Sequence, residues 1–195
     1  MSEWKLFDGD VAPFTDDDFY RDRDAAHHLE EAGHVERIHK ACEFVAQAYA
    51  ESHGTVSDFG CGDGGLLDYL RHQYGIQGWG YDMAPNNVKY AQFNRQLDVR
   101  LTDFSTDADV EYGHIVVMTE VLEHITDPHG ALAAIPKTTK YIVASSPRWE
   151  TPENHYEFHN WAWDDTGYAQ LIQGAGFTIV RHENAWINQV ILGAR

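Results

Sequence analysis

The chain has 195 residues, 43% of them hydrophobic and 13% aromatic, which is enough apolar material for a folded core and too much for a disordered chain. Its 31 Asp and Glu against 14 Lys and Arg give a formal charge of −17, which opposes the broad basic footprint of a nucleic-acid-binding protein. No apolar run reaches the length of a membrane span, MSEWKLFDGD does not read as a secretory signal, and Cys42 and Cys61 read as reduced thiols of a cytoplasmic protein.

Residues 1–24 interleave Asp8, Asp10, Asp16, Asp17, Asp18, Asp22 and Asp24 with Trp4, Phe7, Phe14, Phe19 and Tyr20. So many aromatics predict an irregular arm that packs over something, such as a cleft, rather than a solvated acidic tail. Helical character runs from Ala25 to Ala50, with Val35, Ile38, Cys42, Val45 and Tyr49 on one stripe and Gly33 dividing a short helix from a longer one. Val56–Phe59 reads as a short buried strand, and Leu66, Leu67, Leu70 and Tyr74 follow at helical spacing. Further strands are predicted at Gly78–Tyr81 with Asp82 at its end, at Leu97–Thr102 and at His114–Thr119, an apolar run suited to a strand buried on both faces. Helices open at Pro85 and Pro128, a strand follows at Tyr141–Ser145, and a helical stripe at Tyr168, Leu171, Ile172 and Ala175 is stopped by Gly174 and Gly176.

The last two strands, Phe177–Arg181 and Asn188–Leu192, are too close for a crossover helix. The expectation is a single α/β domain with a doubly wound, mostly parallel seven-stranded sheet, an antiparallel C-terminal hairpin strand and helices on both faces. Residues 1–50 form its arm and helical cap, and residues 51–195 its Rossmann-like core.

Between the first core strand and its helix lies TVSDFGCGDGG, residues 55–65. Glycines there let a ligand approach the backbone, and the helix start offers N–H groups to it. Gly60-x-Gly62-x-x-Gly65 fits a dinucleotide fingerprint, whereas Asp58-x-Gly60-x-Gly62-x-Gly64 fits a different nucleotide-cofactor loop, and the glycines alone do not choose. Asp82, 22 residues after Gly60, is placed to accept from both hydroxyls of a ribose in either case. A bland role for it is capping the helix that Pro85 opens.

The later motifs choose. DFGCGDGG, GYDMAP, LTDF and VVMTEVLEHI-DP stand in an order and at separations by which the chain resembles the class I S-adenosylmethionine-dependent methyltransferases, over roughly residues 45–192. The resemblance implies that Asp58 and the Gly60, Cys61, Gly62 and Gly64 stretch hold the methionine part of the cofactor. It places Asp82 on the ribose, Met83 beside the adenine, Asp103 on the adenine amino group and Phe104 against the ring. The Thr119–Glu120 strand end then faces the sulfonium and the substrate. With the cofactor already activated, alignment and proton removal remain, and His124, His155 and Glu120 are the candidate catalytic residues.

Glu120, Glu123 and His124 lie at i, i+3 and i+4, so on a helical turn they would share a face. With His155 or His159 they could hold Mg²⁺ or Mn²⁺, an arrangement that resembles the small-RNA 3′-terminal ribose 2′-O-methyltransferases. The same string occurs in metal-free small-molecule methyltransferases, and the acidic charge opposes RNA, so no metal is assigned. Trp149, Tyr156, Phe158, Trp161 and Trp163 follow the fifth strand, where an aromatic or planar acceptor would sit. The expected function is methyl transfer to a small molecule, oxygen favoured over nitrogen, without membrane or nucleic-acid partners. An RNA 2′-O-methyltransferase and a non-catalytic nucleotide-binding scaffold are the alternatives. His27 and His28 read either as solvated or as lid residues.

Overall fold

A computed structural model describes residues 2–10, 24–25, 27–30, 32–104 and 109–195. Phe14, Asp16, Asp17, Asp18, Phe19, Tyr20 and Asp22 of the arm lie outside them. In chain order the elements are β1 (Glu3–Lys5), α1 (Ala32–Ser52), β2 (Val56–Phe59), α2 (Gly65–Tyr74), β3 (Gly78–Asp82), α3 (Pro85–Phe93), β4 (Asp98–Leu101), β5 (Ile115–Thr119), α4 (Pro128–Ala134), β6 (Tyr141–Pro147), β7 (Trp161–Trp163), α5 (Asp165–Gly174), β8 (Thr178–Ala185) and β9 (Asn188–Ala194).

Local chemistry sets many of the boundaries. Proline occupies the first turn of α3 and of α4, where its missing N–H costs no hydrogen bond. Asp127 caps α4 by accepting from the Gly130 N–H, and Asp164 caps α5 by accepting from the Gly167 N–H. Gly75 ends α2 with φ +68, the left-handed conformation that closes a helix cheaply only with glycine.

The main sheet has the order β4-β3-β2-β5-β6-β9-β8. From β4 through β6 all pairs are parallel, and β9 runs antiparallel between β6 and β8. This is the doubly wound sheet with a terminal hairpin that the sequence predicts. The chain walks from β2 to β3 and β4 on one side, then returns to place β5 on the other. That reversal opens a crevice beyond the carboxyl ends of β2 and β5, where ligands of such sheets bind.

Period-two alternation divides the core. Ile115 and Val117 of β5, Val143 of β6 and Val190 and Leu192 of β9 pack with α1 and with Leu66 and Leu70 of α2. Val116, Met118, Ile142, Ala144 and Ile191 face the other way, onto Leu132 of α4 and Tyr168, Leu171 and Ile172 of α5. Both faces of the central strands are therefore covered, as their continuous apolar runs require.

Three local expectations are corrected. Helix α1 is unbroken from Ala32, and Gly33 lies in its first turn, where a Cβ would fall 2.0 Å from the Trp186 ring. The first residues of the arm are strand, not irregular: β1 pairs antiparallel with β7, Glu3 opposite Trp163 and Lys5 opposite Trp161. The Trp163 indole N–H donates to Glu3 Oε2 at 2.8 Å, and Leu6 N–H donates to the Asn160 carbonyl. The predicted β8 strand extends to Ala185, with a bulge between Ile179 and Arg181.

Candidate functional site

A cavity of about 920 Å³ opens at the crevice beyond β2 and β5. Its first wall is the glycine loop. Gly60 and Gly62 take φ +70 and +56, and a Cβ at either would collide, 2.4 Å from Val121 Cγ2 and 2.6 Å from the His28 ring. The Gly60 and Cys61 N–H groups both donate to the Tyr81 carbonyl, so the loop is tied to the end of β3. Gly60, Cys61 and Gly62 line the cavity. Gly64 does not: at φ +77 it turns toward Leu97 and Ala91, and its role is packing against α3.

Asp82 lines the cavity at the end of β3. Its Oδ2 accepts from the Gly62 N–H at 2.7 Å, and its Oδ1 accepts from Ala84 N–H at 2.9 Å and Asn87 Nδ2 at 3.3 Å. Burial raises its carboxyl above the ordinary value, against those three hydrogen bonds, which favour the charged form. The same side chain therefore shapes the glycine loop and keeps lone pairs for a ligand. Met83, Thr102, Asp103 and Phe104 continue the wall, the Phe104 ring edge-on to Phe59 with centroids 5.3 Å apart.

Asp58 forms part of the lining and is 1% exposed. Its Oδ1 has no hydrogen-bond partner among the described residues. Burial pushes its carboxyl up to about 8, with Arg37 opposing and Asp82 adding to the rise. Arg37 reaches the cavity from α1, itself 4% exposed.

Beyond β5 the wall changes character. Thr119, Glu120, Val121, His124 and Ile125 lead to Pro147, Trp149, Glu150, Asn154, His155, Tyr156 and His159. Glu120 takes φ +56, so residues 120–124 form a turn and not a helix. The shared face expected of Glu120, Glu123 and His124 does not form. Glu120 is drawn to the β6–β9 side, accepting from Ser145 Oγ at 2.9 Å and Asn188 Nδ2 at 2.7 Å. Glu123 is instead fully buried behind the cavity wall, and neither carboxylate oxygen has a partner. Burial first, then Glu120, hold its carboxyl well above the ordinary value.

The histidines separate by their partners. His124 and His155 each place Nδ1 3.2 Å from a backbone carbonyl, those of Phe158 and Thr151. A carbonyl only accepts, so Nδ1 carries the proton in both and Nε2 is the basic nitrogen. His159 Nδ1 lies 2.6 Å from Glu150 Oε2, and its ring stands edge-on to His124 with centroids 4.6 Å apart. Of the five aromatics, Trp149 and Tyr156 line the mouth at 62% and 47% exposure, whereas Trp163 is core.

Arg37 and Glu150 went unremarked in the sequence, although Arg37 was detectable. It stands on the α1 stripe with Ala41, Phe44 and Ala48, a cation at a buried helical position. His28 lines the cavity, its ring over Gly62 and its Nδ1 3.0 Å from Asp63 Oδ1. Asp63 also receives Arg95 Nη2 at 2.6 Å.

Residues 32–182 match the family model for a methyltransferase domain. Among curated proteins, the ubiquinone biosynthesis O-methyltransferase of Idiomarina loihiensis is 36% identical over 92 residues, 44% of this chain. That of Xanthomonas campestris is 33% identical over 99 residues, 47% of this chain. The matches span 37% and 41% of those proteins' own lengths. Among solved structures, the N-methyltransferase NodS of Bradyrhizobium japonicum, in complex with S-adenosyl-L-homocysteine, superposes with a TM-score of 0.69 at 14% identity, over 93% of this chain and 97% of that one. The magnesium protoporphyrin IX methyltransferase of Synechocystis, also with bound S-adenosylhomocysteine, gives 0.65 at 16% identity and 91% of each chain.

Proposed function

The chain belongs to the class I S-adenosylmethionine-dependent methyltransferases, and from that premise we propose that it methylates a hydroxyl of a small, aromatic or planar acceptor. S-adenosylmethionine supplies a methyl group already activated on a sulfonium. What remains for the protein is to bind, align and take a proton.

The residues present fit the cofactor. Asp58 offers a buried, unpartnered carboxylate oxygen suited to an amino-acid ammonium. Asp82 has lone pairs beyond its three hydrogen bonds for the ribose hydroxyls, and the left-handed Gly60 and Gly62 keep the approach free of Cβ atoms. Asp103 and Phe104 follow as the adenine end.

One observation carries the acceptor reading. The same cavity that holds these groups runs on into a half lined by His124, His155, Trp149 and Tyr156. His155 is the proposed proton acceptor: its Nδ1–H is held by the Thr151 carbonyl, which orients Nε2 as base. Glu120, held by Ser145 and Asn188, lines the same cavity as His155. The curated relatives, O-methyltransferases by name, favour oxygen as the accepting atom.

Methyl-labelled S-adenosylmethionine offered with catechols, simple phenols and amines, with products identified by mass spectrometry, tests this. Label is expected on a phenolic oxygen, and His155→Ala should lower kcat by about 10²–10⁴ while S-adenosylhomocysteine affinity is unchanged. Transfer to amines alone, or an unaltered kcat in His155→Ala, would refute it.

A further inference from the structure

We propose that the tip of the β8–β9 hairpin, Trp186 and Ile187, is the selecting edge of the acceptor mouth. Ile187 receives an apolar substituent of the acceptor ring, a role that rests on the aromatic-acceptor reading above, and Trp186, seated on α1, is the positioning residue that holds it there.

Ala185 of β8 pairs with Asn188 of β9, so two residues make the turn. Turns of that length are ordinarily made by glycine, asparagine or aspartate, which tolerate positive φ. Here Trp186 takes φ +52. A bulky aromatic keeps that conformation only where its surroundings over-determine it, and such positions cluster at ligand sites.

The surroundings come from two other elements. The Trp186 ring lies so close to Gly33, in the first turn of α1, that a Cβ on Gly33 would overlap it. The Trp186 N–H donates to Glu36 Oε1 of the same helix at 2.9 Å. From the other side the Arg148 N–H, just past the end of β6, donates to the Ile187 carbonyl at 3.1 Å. The tip is thus clamped between α1 and the loop that carries Trp149.

Trp186 does not line the cavity, but Ile187 does, together with Pro147, Trp149 and Tyr156. Ile187 is 37% exposed and Trp149 62%, which leaves apolar surface at the mouth for a ligand to cover. Trp149 is steadied by the Arg148 guanidinium, 5.3 Å from its ring centroid and bonded in turn to Asp165. The residue after Ile187, Asn188, donates to Glu120 Oε2 at 2.7 Å, which ties the edge to a carboxylate of the same cavity. The mouth is therefore preformed, and an acceptor with a substituent reaching it would bury both side chains.

The test reads binding, so that it does not depend on which atom takes the methyl group. Protein saturated with S-adenosylhomocysteine is titrated calorimetrically with catechol and with 4-butylcatechol. The butyl compound is expected to bind at least about tenfold tighter, roughly what half-burial of a four-carbon chain gives. In Ile187→Ala that preference should fall to within about threefold, with the catechol Kd within about twofold of wild type. Gly33→Ala, outside the cavity lining, should do the same by displacing Trp186, and should add nothing once Trp186→Gly has removed the ring. Gly174→Ala, at a helical glycine with open space around it, should leave both affinities unchanged. S-adenosylhomocysteine affinity, retained throughout, shows that each variant is folded. Equal binding of the two catechols by wild type, or a preference undiminished in Ile187→Ala and Gly33→Ala, would overturn the selecting edge. A butyl preference that Ile187→Ala abolishes, with no label reaching oxygen, would uphold the edge and refute the hydroxyl reading instead.

Discussion

Asp82→Asn separates the two roles that one carboxylate carries. In the folded protein its oxygens accept from Gly62 N–H, Ala84 N–H and Asn87 Nδ2 at 2.7, 2.9 and 3.3 Å. Asparagine keeps one acceptor oxygen and turns the other into an amino group, which then faces a backbone N–H. One buried donor is left unsatisfied at a cost of about 1–3 kcal/mol, and the remaining bonds lose their charge assistance. Relief of the burial penalty on the charge, visible in the raised carboxyl, offsets part of this. The expected loss of stability is roughly 1–3 kcal/mol, or about 3–10 °C in Tm for a chain of this size. Cofactor binding should suffer more, because a ribose loses a charged acceptor as well as a well-shaped loop. A loss of about 2–4 kcal/mol corresponds to a roughly 30- to 700-fold weaker Kd. Calorimetric titration with S-adenosylhomocysteine beside a thermal melt reads both numbers, and Asn87→Ala, which takes away the longest of the three bonds to Asp82 and leaves its charge, is the control. A folded Asp82→Asn protein that binds within about threefold of wild type would show that Asp82 serves the loop alone.

Two further outcomes follow from the charged groups around the loop. Because burial pushes the Asp58 carboxyl up to about 8, against Arg37 and with help from Asp82, most of it is protonated at pH 7 before ligand binds. Pairing with an ammonium demands the carboxylate, so S-adenosylhomocysteine affinity should rise from pH 6 toward pH 8 with proton release at pH 7. Calorimetry in buffers of different ionisation enthalpy reads that proton, and equal enthalpies with a flat pH profile would refute the pairing. Arg95→Met should cost about 3–5 kcal/mol at pH 7, because it leaves the buried Asp63 carboxylate without its guanidinium partner, held by His28 and the Gly65 N–H. Burial would raise the Asp63 carboxyl, but the bonds from His28 and Arg95 outweigh it and lower it below 3.8. The stability from this cluster is thus present above pH 4 and lost as the pH falls through the lowered value, so urea unfolding should show the wild-type advantage shrinking in acid.

The half of the cavity proposed for the cofactor was legible as a strand–glycine-loop–helix crevice because its determinants are local. Glycines at 60 and 62, an acid ending β3 and an apolar β5 act within a few residues of where they stand, and the strand–loop–helix context follows from period alone. The acceptor half was not. Helical spacing put Glu120, Glu123 and His124 on one face, but the chain leaves β5 through a left-handed Glu120, which sends Glu120 to β6 and β9 and Glu123 inward. No propensity announces that: a non-glycine residue takes φ +56 only when its surroundings over-determine it, and here Ser145 and Asn188 do so from 25 and 68 residues away.

The same distance explains the missed strands, and it connects them to the site. A three-residue β1 with an exposed edge has no periodic signal of its own, since its partner β7 lies some 160 residues along the chain. Yet Asn160 and Trp161, leading into β7, both donate to the Glu123 carbonyl, and Asn160 Nδ2 donates to that of His124. Those bonds clamp the turn after β5 to the loop that carries His159, while β1 holds the far side of β7. The small sheet is therefore the brace that brings Glu123, His124 and His159 together. Deleting β1 should loosen the acceptor half before it touches the glycine loop, which hangs from β2 and β3.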